Sequence, residues 1–452
     1  MRAPEPAMNT DPALTAHPRE ARRMLLLLFL AMFLNYYDRT IPAVVMEPIR
    51  LEFGLTDTML GLLNAVFTVT YALFGILLGR LADVGVRKRV MGLGLLAWSA
   101  ATALSGVATG FSWFLLARVG VGIGEASCAP TAQSIVADLY APERRSRAMG
   151  LVMLGLPLGL VAAFFSGGAI ATAMGSWHAV FWLAAVPGAL LGGVMLMMPE
   201  PARQTATQDT VSGGITLALR EVWAVRSARW LTLGAIGFGL AGYVGTGFMV
   251  ALLQRRFHMP LIQAGMISGV IIGATGLLAM IGGGWLADVL QTRWRRGRLG
   301  LTTLASLAGA LLTLIALYLP STQVTWFVLL FSIGWLATYL FPVCAYPALQ
   351  DVVASRRRGV AMAVNLAIGN VVGGGCGVVL MGALSDRFAR ASAQAAGQTL
   401  SETHRGMGLA AAMLLIPAAM AIMALATWKA SYHAPLDRQR ANNTAPAGAP
   451  TQ

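Results

Sequence analysis

Charge is scarce in this sequence. Asp, Glu, Lys and Arg make up 12% of its 452 residues, against about 25% in an ordinary soluble domain. Apolar types reach 57%, with 51 glycines on top. That excludes a disordered chain and argues against a soluble enzyme. Lysine is rarest, two residues (Lys88 and Lys429) against 31 arginines. The three cysteines, Cys128, Cys344 and Cys376, all lie inside apolar runs. They form no disulfide framework and no metal-ligand spacing, and read as small apolar packing residues. The five histidines are scattered, mostly in tails and loops. No Ser/His/Asp set has catalytic spacing, and no Gly-Lys-Ser/Thr follows a strand to cradle a phosphate. No enzymatic activity, cofactor or metal is therefore expected. The net charge of +14 would elsewhere suggest nucleic acid. In an apolar chain its default use is to hold loops on the cytoplasmic side of a membrane.

What the chain has in quantity is long apolar runs. A span needs ~20 mostly apolar residues. Twelve candidates meet that: 24–48, 57–81, 90–110, 113–138, 147–170, 177–198, 230–253, 263–287, 299–319, 325–349, 359–384 and 406–428. They are too long and continuous for barrel strands, so the expected architecture is all-α, twelve transmembrane helices with short loops. Arg22-Arg23 ahead of the first run resemble a secretion signal. The run continues through Asp38 to full length without a small-residue cleavage site, which favours a first span instead.

Orientation follows from the basic residues. With the N-terminus inside, the inner loops and tails carry 24 Lys and Arg and the outer loops 6; Arg39, Arg80 and Arg118 remain within spans. That asymmetry predicts both termini in the cytoplasm. The longest inner connection, 199–229, opens with Pro199-Glu200-Pro201 and turns polar. Ile215, Leu219 and Val222 then recur at helical spacing, predicting a short helix on the membrane surface. The expected organisation is a tail over 1–23, a six-helix bundle over 24–198, a linker over 199–229, a second bundle over 230–428, and a tail over 429–452.

The halves repeat. Gly79-Arg80-Leu81-Ala82-Asp83 closes the second run, and Gly284-Trp285-Leu286-Ala287-Asp288 closes the eighth; each precedes a basic cluster. Asp138, Ala141, Arg144, Arg145, Ala148 and Met149 match Asp351, Ala354, Arg357, Arg358, Ala361 and Met362. Two matches at similar offsets imply a duplicated six-helix unit, the organisation of secondary transporters. The pattern alone is not specific, since Gly382-Ala383-Leu384-Ser385-Asp386 also fits G-x-x-x-D but falls on the outer side.

The duplication, with G-R-L-A-D-V-G-V-R-K-R at 79–89, R-V-G-V-G-I-G at 118–124 and G-L-P-L-G at 155–159, resembles the major facilitator superfamily across nearly the whole chain. N-Y-Y-D-R at 35–39 and G-E-A-S at 124–127, followed by A-P-T and D-L-Y, resemble its Spinster subfamily, well in the first half and weakly in the second. Val86 stands where the superfamily has Gly before Arg87, and Cys128 stands where the subfamily has an aromatic. The resemblance implies two bundles related by a pseudo-two-fold axis, alternating access, and an amphipathic, lysolipid- or sphingoid-like substrate.

Four charged residues lie well inside apolar spans: Asp38, Arg39, Arg118 and Glu125. Ionised groups there cost ~2.5–3.5 kcal/mol or more and normally face a cavity or a partner. At ~1.5 Å per residue Asp38 falls ~9 Å below the outer edge of a ~30 Å core, and Arg118 ~8 Å below it. Glu125, seven residues on, shares the face of Arg118 but lies ~10 Å deeper. Desolvation there favours a neutral carboxyl, the property a proton carrier needs. Asp38 and Glu125 are thus the candidate proton-coupling residues. Arg39, Arg118, Tyr37, Asn35, Tyr339 and Asn365 are the candidate substrate-binding residues, and Gly79, Asp83, Arg87 and Asp288 the candidate gating residues. A structural ion pair joining helices 1 and 4 is the alternative for the charged four. Phe248, Trp335, Tyr339 and Phe341 are expected to give the facing wall an apolar character. Gly373-Gly374-Gly375 sits inside an apolar helix and reads as close packing.

The expected function is a secondary active transporter, coupled to protons, with a small amphipathic substrate and membrane lipids as partners and no nucleic acid. A monomer in a bacterial inner membrane is expected, the location resting on the arginine-rich composition. A transporter of a small organic anion such as a sugar acid, held by Arg39 and Arg118, and a membrane sensor of the same fold remain alternatives.

Overall fold

The computed structural model describes residues 18–203, 214–293, 297–354 and 357–443. Every regular element among them is a helix. Span 1 is Pro18–Val44, span 2 Asp57–Val84 and span 3 Arg87–Ser105. Span 4 is Phe111–Glu125 continued by Cys128–Leu139, and span 5 is Pro142–Met153 continued by Gly155–Ala173. Span 6 is His178–Met197 and span 7 Arg226–Phe257. Span 8 runs from Leu261–Ser268 through a π-helical turn, Gly269–Ala274, into Thr275–Arg293. Spans 9 and 10 are Gly297–Tyr318 and Val324–Val352. Span 11 joins Arg358–Ile368, a π turn at Gly369–Cys376, and Gly377–Ala395. Span 12 joins Glu402–Ala412 to Leu415–Asn443. Short helices at Met46–Phe53 and Gly214–Ala224 complete the chain.

Ten of these helices are long and apolar enough to cross a membrane. The other two fall short for local reasons. Span 3 opens on Arg87-Lys88-Arg89, which dilutes its hydropathy, and span 4 is interrupted at Ala126-Ser127. Span 12 runs well beyond residue 428, where the sequence suggested a tail. Its Asp437 accepts hydrogen bonds from the Ser227 backbone N–H at 2.9 Å and hydroxyl at 2.7 Å, capping the start of span 7. A buried cap of this kind satisfies donors a helix start would otherwise leave orphaned.

Three apolar cores organise the bundle. One joins both halves, packing Ile41, Leu60 and Phe164 of the first with Phe248, Ile272 and Val378 of the second. The other two each belong to one half: Met91, Trp98 and Ile135 in the first, Phe341, Leu349 and Ala361 in the second. The shared core lies toward the face opposite the chain termini, among the connections between spans 1 and 2, 7 and 8, and 11 and 12. There the halves approach closely. A Cβ on Gly61 would overlap the Val378 carbonyl, and one on Gly265 would sit 2.7 Å from the Phe164 carbonyl oxygen. Toward the terminal face the cores separate. Trp335 packs on Gly245 and Phe341 on Gly234, both of span 7, so these two rings turn into their own half and not toward the first as expected; Phe248 lies in the core that joins the halves. Glycines 373 and 374 bring span 11 against Ile236 and Tyr243 of span 7, the close packing expected of that run.

Candidate functional site

Span 4 bends where the chemistry lies. Its upper helix ends at Glu125, and Ser127 folds its hydroxyl back onto the Gly124 carbonyl at 2.8 Å. Gly124 packs directly against Trp98 of span 3, where a side chain would collide. The bend turns the fully buried Glu125 toward span 1. There Arg39 donates through Nε and Nη2 to one Glu125 oxygen, at 3.3 and 3.1 Å. Asn35, one turn before Arg39, accepts from the guanidinium at 3.2 Å and donates to the Glu125 backbone carbonyl at 3.4 Å. The guanidinium is ringed by Tyr36, Phe67 and Tyr71, with centroids 4.9, 5.1 and 4.4 Å away, a cation–π setting that holds Arg in place when it is not fully hydrated. Glu125 Oε1 has no partner among the described residues.

Asp38 points to the other side of span 1. Its Oδ2 accepts from the Trp98 indole N–H at 3.0 Å, and Oδ1 has no partner among the described residues. Arg118 lies within Coulombic range of both acids. No ion pair joins it to Asp38 among the described residues; it donates instead to Ser105 Oγ at 2.7 Å, between the rings of Phe114 and Phe181. Arg39 and Arg118 line one cavity of about 20 Å³ with Asn64 and Phe67, room for about one water. The four charged residues singled out by depth are thus gathered in one half, as Arg39–Glu125, Asp38–Trp98 and Arg118–Ser105. Trp98, Ser105 and the ring around Arg39 were not expected from the sequence.

The remaining candidates divide. Tyr37 bonds to Ser166 at 2.9 Å, tying span 1 to span 5. Asn365 donates to Thr232 at 3.3 Å within the second half. Tyr339 packs under Gly276, also within the second half. None of the three hydrogen-bonds to the charged cluster among the described residues, although Tyr37 lies within Coulombic range of Asp38; Tyr243 of span 7 is a second-half residue in Coulombic range of Arg39. Of the gating candidates, Arg87 is fully buried and bonds to the first half and to the start of the linker. It pairs with Asp138, bonds to Glu200 at 3.0 Å and donates to the Pro201 carbonyl at 2.6 Å. Glu200 also caps span 3 through the backbone N–H groups of Arg87 and Lys88. Asp83 and Asp288 are exposed, and neither carboxylate has a partner among the described residues. Gly79 faces Pro130, and a Cβ there would meet the proline Cβ at an ordinary contact distance of 3.6 Å.

Sequence reasoning missed a second charged cluster, on the face opposite the termini. Arg255 of span 7 binds Asp57 at 2.9 Å through two nitrogens and Glu47 at 2.8 Å. Arg50 bonds to Glu47 and to Glu402, each at 2.6 Å. Arg50, Arg255 and Glu402 fell outside the expected spans and Glu47 and Asp57 at their very ends, so none was singled out; the G-x-x-x-D at 382–386 was the one signal nearby.

Comparison with known proteins places this geometry. Residues 28–378 match the family model of the Major Facilitator Superfamily. An MFS-type efflux pump of Mycolicibacterium smegmatis is 32% identical over 95% of this chain and 97% of its own length. The mouse sphingosine-1-phosphate transporter is 27% identical over 80% of this chain and 69% of its own. The crystal structure of a bacterial homologue of the human lysosomal transporter Spinster, inward-facing and unoccupied, superposes with a TM-score of 0.78 at 26% identity, over 96% of this chain and all of that one. With twelve spans in two halves and the charged cluster of span 1 and span 4 in the first, the chain belongs to the major facilitator superfamily and is a transporter of the Spinster type.

Proposed function

We propose that this transporter couples the movement of an amphipathic substrate to protons by alternating access, with Glu125 and Asp38 as the proton-accepting groups. The observation that carries the reading is the half-satisfied state of both buried acids. Each uses one carboxylate oxygen and leaves the other without a partner among the described residues. An unpaired buried oxygen is costly when charged, and protonation turns it into a donor. A carboxyl that Arg39 holds when ionised and releases when protonated can pass the state of the proton to span 1.

The basic residues favour both termini in the cytoplasm. With that orientation the closed face is outer, the separated cores face the cytoplasm, and the conformation is open inward. The substrate class rests on the likeness to the sphingosine-1-phosphate transporter and to the Spinster homologue. Arg39 and Arg118, on one cavity, suit an anionic head group through charge-assisted hydrogen bonds. Efflux and uptake of a radiolabelled single-chain lipid phosphate in proteoliposomes, with and without an imposed pH gradient, tests the reading. Accumulation driven by the gradient is expected. Gradient-driven flux of a sugar acid with none of the lipid would replace the substrate class, and lipid flux indifferent to the gradient would remove the coupling.

A further inference from the structure

The chain carries three G-x-x-x-D segments, and the structure holds them in opposite states. At 79–83 and 284–288, on the terminal face, the acids are exposed and without partners among the described residues. At 382–386, on the opposite face, the acid is fully engaged across the boundary between the halves. Asp386 of span 11 accepts from the backbone N–H groups of Asp57 and Thr58 at 3.0 and 2.9 Å, and from the Thr58 hydroxyl at 2.6 Å. Those are the first donors of span 2, in the other half, and span 2's own cap, Thr56, reaches only Met59. Helix starts leave such donors orphaned and attract negative charge. Gly382 permits the approach, because a Cβ there would overlap the Asp57 carbonyl and come within 2.7 Å of Thr58 Cα. Ser385 donates to the Asp57 carboxylate at 2.6 Å, the same carboxylate that takes the two bonds from Arg255.

We propose that Gly382-Ala383-Leu384-Ser385-Asp386 is a latch for the face opposite the termini: Asp386 caps span 2 from the other half and, with Arg255 clamping Asp57, sets the population of the conformation open toward the termini. Asp386 and Arg255 are positioning residues, acting on the halves and not on substrate. The chemistry is self-cancelling across the cycle. When the halves rock so that this face opens, three donors of span 2 lose their acceptor, and Asp57 loses its cation and the Ser385 hydroxyl, all of which water must then satisfy. Breaking a buried ion pair or cap is costly, so the latch biases the equilibrium toward the closed outer face. The inner acids, Asp83 and Asp288, whose carboxylates have no partner among the described residues, are then the groups that engage in the alternate conformation.

The inference rests on alternating access, and its test reads conformation separately from flux. Spin labels on Leu51 and Gln398 report the latch face, and labels on Glu143 and Gln350 the terminal face, all exposed positions, with Cys376 replaced by Ser. Asp386→Ala is expected to raise the long-distance population across the latch face at least tenfold and to shorten the distances across the terminal face. Ser385→Ala and Arg255→Lys, which remove one bond and the bidentate geometry, are expected to shift both distributions the same way by less, and they decide the matter if Asp386→Ala does not fold. Unchanged distance distributions in the folded variants would overturn the latch. Shifted distances in a protein that moves no substrate would uphold it while refuting the transport reading.

Discussion

Arg39 places two donors on a single oxygen of Glu125, and the other oxygen of that carboxylate has no partner among the described residues. Bidentate Arg–carboxylate pairs normally use both oxygens. A pair that engages one oxygen is closer to release, and the three aromatic rings around Arg39 give its guanidinium a place to remain when Glu125 is neutral.

Glu125→Gln fixes that neutral state. The amide can still accept from Arg39, so binding is retained while the proton is no longer exchanged. Gradient-driven uptake is expected to fall by at least tenfold, with equilibrium exchange of substrate within about threefold of the wild type. Both fluxes are measured in the same vesicles, and uptake that still follows the pH gradient would sink the proton-carrier role.

Asp38 is expected to couple to Trp98 and only weakly to Arg118. The indole bond at 3.0 Å is direct, whereas Arg118 spends its bond on Ser105. A double-mutant cycle of Asp38→Asn with Trp98→Phe should give a coupling of ~0.5–3 kcal/mol in thermal stability. The same cycle with Arg118→Gln should fall below it. The reverse order would restore the direct Asp38–Arg118 pair that equal depth suggests.

How much of this was legible in the sequence follows from what each signal measures. Apolar length gave twelve helices because a membrane core sets the length of a span. Charge inside apolar runs singled out Asp38, Arg39, Arg118 and Glu125 because burial of charge is costly wherever it occurs. Partner choice was not legible. Depth along two helices brought Asp38 and Arg118 level, but rotation turned Asp38 to Trp98 and Arg39 to Glu125. Residues at span ends were also invisible. Arg255 read as a loop charge and Asp57 as the first residue of a span, and only the packing of two halves buries them. The aromatic residues of span 10 looked like a cavity wall, since an apolar run does not reveal which of its faces meets its own half.

Arg87→Ala is expected to destabilise the fold by about 3 kcal/mol, the low end of the ~3–5 for a broken buried pair, because Glu200 is itself 28% exposed. Asp83→Asn, at an exposed site, is expected to stay within ~0.5 kcal/mol while reducing the population closed at the terminal face. Thermal melts in detergent check the first pair of values, and label distances between Glu143 and Gln350 check the last. An Asp83→Asn protein with unaltered distances would remove that acid from the gate.

The substrate prediction rests on Arg118. It is 3% exposed, lines the same small cavity as Arg39, and keeps its Nε without a partner among the described residues. A donor left unpaired in a buried site favours an acceptor when one arrives, and a phosphate or carboxylate head group supplies it. The acyl part of such a ligand would gain ~0.8 kcal/mol for each CH₂ it buries, so affinity should rise about threefold or more per CH₂ over a short series of single-chain lipids until the chain outgrows the apolar surface available. Arg118→Ala should lower affinity at least tenfold for ligands with an anionic head and leave an otherwise matched ligand with a neutral head within about twofold. Thermal-shift and radioligand binding with the two head groups at equal chain length read the difference. Equal losses for both would mean that Arg118 acts on the packing of spans 3, 4 and 6 and not on the ligand, and a small hydrophilic sugar acid outbinding every single-chain lipid would move the charged cluster from head-group recognition to recognition of the whole solute.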